Sequence, residues 1–429
     1  MSDDMKKTAT GRTALRIACF GFRSLPPSEG SAGADKFALE LLPRLAARGH
    51  KVVGYNRAYP GDEVAPPHDF QGVEVHTFRT IRKGGFDTLV HSTRATYDII
   101  RHNRADVVHI QNGGNSIFGA ILRLFGKRTY LSQDGVDWRR DKWPWYGKLY
   151  LWLSAFLTAN VHNRLIFDNI FAREEFGARF GKKFDFIPFG ADVSYDSAAE
   201  AILNRLGLSS GEYFLFVGRF IPDKGLHWLV PAFEQLHTDK KLVLVGGAPN
   251  PSGYEANIRR TADSRILFTG FLYGPEVHAL MRNSYAYVQP SAIEGLSPVI
   301  LEAAYLGAPI ICSDIPQNAY GMAEHGNYFQ NGSIDDLNRK LRWALDEPES
   351  LKRSGDAGAR HVAQAFSWES VVDQHIAAFS PETRPPALER PGPIASTIDP
   401  DVVPIDVNGA VQQTTLSQSP LRQDGCDGH

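Results

Sequence analysis

Apolar positions fall into short unbroken runs separated by stretches of helical period, and the alternation occurs in two series along the chain. ALRIACF (14–20) reads as a buried strand. KFALELLPRLAARGH, from Lys36, follows as a helix ending at Gly49, and KVVGY is the next strand. Pro43 within that helix predicts a kink. Further strands are predicted at ADVVHIQ (105–111), KRTYLSQ (127–133) and FDFIPF (184–189). The second series reads EYFLFVG (212–218), KLVLVGG (241–247), RILFTGF (265–271), YAYVQP (285–290) and PIICSD (309–314). Alternating strands and helices predict parallel sheets covered on both faces. Two series predict two doubly wound α/β domains in tandem, joined near residues 190–208. The 429-residue length suits two such cores. Ligands of these sheets bind beyond the carboxyl ends of strands, which places a site in the cleft between the domains.

One stretch, SAIEGLSPVILEAAYLGAPIICSD (291–314), carries two glutamates eight positions apart around a Gly-Leu-Ser-Pro turn. Ser297 before Pro298 predicts a helix start with the serine hydroxyl as cap, and Gly307 predicts its stop. Glu302 then lies in the second turn, its side chain leaning toward the helix start, and Glu294 sits in the loop before it. A helix N-terminus attracts anions, and carboxylates on either side accept hydroxyl groups. A ligand with phosphates in the middle and sugars at both ends matches that layout; ordinary surface glutamates are the plainer alternative.

VGRFIPDKG (217–225) follows the first strand of the second series. Arg219 and Lys224 are five apart around a proline turn. Both cations can converge on the strand end, where they suit a departing diphosphate. Read alone, they are equally compatible with solvated surface charges.

Composition narrows the classes. Hydrophobic residues make up 43% and charged residues 22%, as in a soluble enzyme, and a net charge of −2 gives no electrostatic case for nucleic acid. Three scattered cysteines offer neither disulfide framework nor zinc spacing, and imply a reducing compartment. No run of about 18 apolar residues and no apolar signal core in MSDDMKKTATGR occur, so a cytoplasmic protein that does not span a membrane is expected. From Pro381 the Pro-, Ser- and Gln-rich stretch predicts a disordered tail.

Taken together, GRFIPDKG, EGLSPVILE and the tail signal FSWESVVDQHIAAF resemble the nucleotide-sugar-dependent glycosyltransferases of family 4, which have the GT-B fold. The resemblance covers roughly residues 14–380. It implies an acceptor-side domain over 13–190, a donor-binding domain over 191–365, a helix over 366–380 crossing back onto the first domain, and a tail over 381–429. It also implies that Arg219 and Lys224, with Gly218 beside them, hold the donor diphosphate. Glu302 would take the ribose hydroxyls, Glu294 the transferred sugar, and the Gly295-Leu296-Ser297 backbone the sugar and phosphate region. Gly33, in EGSAGADKF, matches a glycine-rich loop near the donor phosphates. The family comparison further implies transfer with retention, no metal and no bound cofactor.

HIQNGGNSIFGAILRLFGKR, DGVDWRRDKW, IFDN, IPFGAD and SDIPQN resemble a bacterial subgroup that includes rhamnosyltransferases of surface-polysaccharide synthesis. A lipid-linked glycan acceptor and peripheral contact with the inner face of a membrane follow as expectations. Gln111, Asp134 and Trp138 fall on the acceptor side. Many relatives carry histidine where this chain has Gln111 and Asp134, so any histidine role there passes to these two. His109 is expected to be a satisfied core histidine. Asp134 and Asp137 lack the further ligands a metal needs.

KWPWYGKLYLWLSAFLTANV (142–161) has Leu149, Trp152, Leu153, Phe156 and Leu157 at helical spacing, which predicts a core-facing stripe. Its tryptophans and lysines also suit a membrane interface, and Trp143 and Trp145 could stack on sugar rings. Three rival functions remain. An oxidoreductase is disfavoured because FGFRSLPPSEG lacks G-x-G-x-x-G. A sugar-nucleotide epimerase of the same fold would use the donor alone, and a catalytically silent binding protein would do no chemistry.

Overall fold

The apolar runs become strands that assort into two sheets. In the computed structural model, residues 14–27, 33–82, 86–133, 135, 145–248 and 253–380 are described, and all belong to one compact unit. The first sheet holds β1 (Arg16–Phe20), β2 (Lys51–Ala58), β3 (His68–Phe70), β4 (Val73–Arg79), β5 (Val107–Gln111), β6 (Arg128–Gln133), β7 (Arg164–Phe167) and β8 (Asp185–Phe186). Its order is β3-β4-β2-β1-β5-β6-β7-β8. The second holds β9 (Tyr213–Arg219), β10 (Lys241–Gly247), β11 (Ile266–Gly270), β12 (Ala286–Gln289), β13 (Ile310–Ser313) and β14 (Asn327–Phe329), ordered β11-β10-β9-β12-β13-β14. Every pairing is parallel except β3 with β4. That antiparallel edge, together with β7 and β14, is absent from the sequence-based expectation. FDFIPF contributes only two residues to the ladder.

The first sheet carries α1 (Gly33–Ala47), α2 (Phe86–Arg101), α3 (Ser116–Leu124), α4 (Trp145–Val161) and α5 (Ile170–Phe180). Around the second lie α6 (Ala201–Leu206), α7 (Leu226–Glu234), α8 (Gly253–Ile258), α9 (Pro275–Arg282), α10 (Pro298–Tyr305), α11 (Pro316–Met322), α12 (Ile334–Asp346) and α13 (Pro348–Ala365). α14 (Trp368–Phe379) completes the described chain. α1 runs through Pro43 as one helix. Strand order reverses between β1 and β5 in one sheet and between β9 and β12 in the other. Those are the two switch points at which doubly wound sheets open toward ligands.

α14 packs on the first half, in one apolar cluster with Phe37, Leu41 and Ile187. IPFGAD is what receives it. A Cβ on Gly190 would lie 2.4 Å from the Trp368 ring, Ala191 N–H donates to the Phe366 carbonyl at 2.7 Å, and Asp192 accepts from the Trp368 amide. At the far end, Arg128 and the Tyr130 hydroxyl both donate to the Phe379 carbonyl. His375 meets His109 in this interior, and burial pushes the His375 imidazole down to about 4. His109 is fully buried against Ser132, at 2.7 Å, and Phe37.

α4 departs from its expected orientation. Leu149, Trp152, Leu153 and Phe156 are exposed, whereas Ser154, Ala155, Thr158 and Ala159 face inward. The reason is closeness. The Ser116 and Thr158 hydroxyls touch, Tyr150 donates to the Gly114 carbonyl at 2.7 Å, and a Cβ on Gly119 would overlap the His162 ring. Only small side chains fit between α3 and α4, so the large apolar ones point outward. Among the described residues no helix is long and apolar enough to cross a membrane.

Candidate active site

The second switch point is built by two loops locked together. β9 ends at Arg219, and Pro222–Lys224 forms a single 3₁₀ turn that ends at Gly225, whose φ is 70°. A Cβ on Gly225 would sit 1.8 Å from the Pro290 carbonyl oxygen, so only glycine lets the two loops approach. Ala292 N–H then donates to the Asp223 carbonyl at 2.9 Å. The consequence is that Lys224 reaches Glu294 and donates to its Oε1.

Two neutral donors share that oxygen. Gln289 Nε2 and the Ser291 hydroxyl each lie 2.7 Å from Glu294 Oε1. The Tyr287 hydroxyl donates to Gln289 Oε1 at 2.8 Å, which turns the amide NH₂ toward the carboxylate. Ser291 is held in turn by Ser313, whose hydroxyl donates to the Ser291 carbonyl at 2.6 Å. All three donors converge on Oε1, and no hydrogen bond among the described residues engages Oε2. Arg219 is exposed at the end of β9, and no hydrogen bond or ion pair among the described residues joins it to this group.

Glu302 is 3% exposed within α10, and its partner comes from the other half of the molecule. Lys36, in the first turn of α1, pairs with Glu302 Oε1. His278 of α9 faces the same pair. Burial pushes its imidazole below the usual histidine range, with Glu302 opposing and Lys36 reinforcing that shift. At the start of α10, Ser297 occupies the cap position in extended conformation, but its side chain makes no capping bond. The predicted hydroxyl cap is therefore absent.

The remaining predicted positions divide. Gly218 follows the line of β9, where a Cβ would press to 3.0 Å on the Phe216 ring. Gly295 faces Asn169, the cap of α5 in the first half, and Leu296 lies with Asn169, Ile170, Phe171, Gln317 and Tyr320 along a shallow surface seam. Gly33 opens α1, three residues before Lys36, and a Cβ added there would meet no atom of the described residues within 4 Å. Gln111 is buried, and its amide is turned to Cys19 Sγ at 3.7 Å. Asp134, Asp137, Trp138 and Trp143 lie outside the described residues, as do 1–13 and the tail from 381. Among the described residues no group of three or more metal-ligating side chains occurs. Lys36, His278, Gln289 and Ser291 escape the sequence reading. For Gln289 and Ser291 the signal is present, since both flank Pro290 just ahead of Glu294.

Residues 31–195 match the model of Glycosyltransferase Family 4, and residues 200–361 match that of Glycosyl transferases group 1. An MMP alpha-(1->4)-mannosyltransferase of Mycolicibacterium hassiacum is 28% identical over 45% of this chain, although the match spans only 47% of that relative. A D-inositol 3-phosphate glycosyltransferase of Arthrobacter is 25% identical over 84% of this chain and 96% of its own length. Among solved structures, sucrose-phosphate synthase of Thermosynechococcus elongatus superimposes with a TM-score of 0.69 at 22% identity, over 84% of this chain and 96% of that one. Anabaena HepE, solved with UDP and glucose, gives 0.67 at 15%, over 84% and 98%. The class that these neighbours define by fold is GT-B, two tandem doubly wound domains. Within it, this chain matches the family 4 model in its first half and the group 1 model in its second.

Proposed function

We propose that this chain transfers a hexose or deoxyhexose, rhamnose included, from a nucleoside diphosphate sugar to a saccharide hydroxyl, with retention at the anomeric carbon. The acceptor is a lipid-linked glycan of polysaccharide synthesis, met at the cytoplasmic face of a membrane. The observation that carries the reading is the cluster at the second switch point, where Lys224, Gln289 and Ser291 fix one oxygen of Glu294 and leave the other for a sugar. In the step, the bond from the anomeric carbon to the diphosphate breaks and the bond to the acceptor oxygen forms. The acceptor proton leaves to the phosphate or solvent. Arg219, Lys224 and the amides at the start of α10 stabilise the charge that grows on the diphosphate. Those groups do the work a metal would do, so none is required. Glu302 takes the ribose hydroxyls.

The neighbours support this choice of substrate class. HepE has been solved with UDP-glucose, and relatives of this chain include an O-antigen chain mannosyltransferase of Escherichia coli. The test is nucleoside diphosphate release from a panel of nucleotide-sugars, with and without membrane extract. The reading requires release from one donor, increased by extract and lost in Glu294→Ala. Interconversion of the donor sugar without any acceptor would establish an epimerase instead. Binding without turnover, by calorimetry, would establish a silent binding protein.

A further inference from the structure

α4 buries its small face and exposes its large apolar one. Trp145, Leu149, Trp152, Leu153 and Phe156 recur at helical spacing, and each is about half exposed or more. α3, packed beside it, does the same with Ile117, Ile121 and Leu124, and Phe125 follows directly after its end. These nine are the majority of the fifteen large exposed apolar side chains among the described residues. Single exposed apolar residues are ordinary, but two neighbouring helical stripes are a surface that something else covers.

Charge identifies the cover. Neither α3 nor α4 contains an aspartate or glutamate, and Arg123 and Lys127 stand at their edge, while Arg128 and Arg164 are turned away to the Phe379 carbonyl and to Asp185. Arg179 of α5 lies over the Trp152 ring at 5.9 Å, and the Lys182 ammonium closes the end of α4 by donating to the Ala159 carbonyl at 3.0 Å. A basic border around Trp, Phe and Leu suits the boundary of an anionic bilayer, where aromatic rings sit at headgroup depth and cations meet lipid phosphates. A second copy of this chain would bring the same cations face to face.

We infer that the exposed stripes of α3 and α4, with their basic border, form a monotopic docking surface for an anionic lipid bilayer. The inference rests on the proposed lipid-linked acceptor for its purpose, but its test does not require transfer. Full-length protein is floated with vesicles of phosphatidylcholine alone, and with vesicles in which one third is phosphatidylglycerol. The expected result is flotation with the anionic vesicles only, reduced by high salt, with a blue shift of tryptophan emission. Leu153→Ser with Phe156→Ser should reduce partitioning by at least about tenfold, since each side chain loses most of its transfer free energy. Arg123→Gln with Lys127→Gln should reduce it by about fivefold and weaken its salt dependence. The serine variant should keep the wild-type melting temperature, because Leu153 and Phe156 are exposed; the glutamine variant gives up the Arg123 bond to the Val161 carbonyl and the Lys127 bond to Asn103, so its flotation is read well below its own melting transition. Flotation that ignores both variants, or none with either vesicle, overturns the inference. A concentration-dependent dimer abolished by the serine variant also overturns it, by assigning the face to a second copy. If nucleoside diphosphate release fails while flotation succeeds, the docking surface stands and the proposed transfer falls.

Discussion

Glu294 and Glu302 are both shielded carboxylates with a lysine at Oε1, yet their lysines come from opposite halves of the molecule. Glu294 is satisfied locally, by Lys224 across two locked loops and by Gln289 and Ser291 from its own strand end. Glu302 is satisfied only when α1 of the first half stands against α10 of the second. One carboxylate is therefore organised before any ligand arrives, and the other reports whether the halves are together. Preorganised charge acts on the reacting centre, whereas a pair made across a cleft acts on binding and closure.

The widest separation should appear in turnover. Lys224→Ala or Glu294→Ala should lower kcat by about 10²–10³, the usual cost of removing one preorganised electrostatic group. Melting temperature should fall modestly in the lysine variant, where Gln289 and Ser291 still hold the carboxylate, and further in Glu294→Ala, which strands three shielded donors. Steady-state release of nucleoside diphosphate and calorimetry measure the two quantities; near wild-type turnover would remove Glu294 from the chemistry. Gln289→Leu comes next. It keeps the side chain's bulk and deletes one of the three donors, and a net hydrogen bond of about 1.4 kcal/mol predicts a fall of about tenfold in kcat. KM for the donor should stay near its wild-type value, which a general loss of structure would not allow.

The cross-cleft pair predicts the opposite signature. Lys36→Met leaves Glu302 buried without its cation, and about 1 kcal/mol of lost pairing at a partly exposed lysine corresponds to about a fivefold weaker donor affinity. Turnover at saturating donor should be nearly unchanged, and small-angle scattering of the free protein should show a larger radius of gyration. A fall in kcat as deep as that of Lys224→Ala would instead place Lys36 on the departing diphosphate. The contrast between the two carboxylates would then collapse.

How much of this could be read from the chain follows the same divide. The nearness of Lys224 to Glu294 and the place of Glu302 in the second turn of α10 are legible because local rules act on them, a proline turn and a helix start, whereas the expected convergence of Arg219 with Lys224 has no contact to show for it. The main strands were legible as apolar runs. Lys36 was not, since a lysine in the first turn of a helix looks like any solvated charge until the fold brings Glu302 to it. β4 escaped because VEVHTFR alternates charged and polar residues with apolar ones, as an outer strand does. The buried face of α4 is not legible because periodicity reports only that a helix has two faces, and the closeness of Gly119 to His162 and of Ser116 to Thr158 decides which one is buried.

The smallest effect should lie in pH. His278 faces Glu302, Lys36 and Glu40, together with the Ser194 backbone, and burial holds its pKa below the usual histidine value. Its neutral form is thus favoured in the folded chain, so its contribution to stability is complete above about pH 6.5 and declines as pH falls toward the folded value. Protonation there adds a second cation beside Glu302, which competes with ribose hydroxyls for the same lone pairs. Glu294 has no such neighbour among its hydrogen-bond partners. Donor KM should therefore rise as pH is lowered below about 6.5, by about two- to threefold once His278 is protonated, with kcat following a separate profile. His278→Gln should flatten the KM profile and leave the kcat profile as it is. If instead both profiles flatten together, the two carboxylates belong to one coupled site rather than to a chemical end and a closing end.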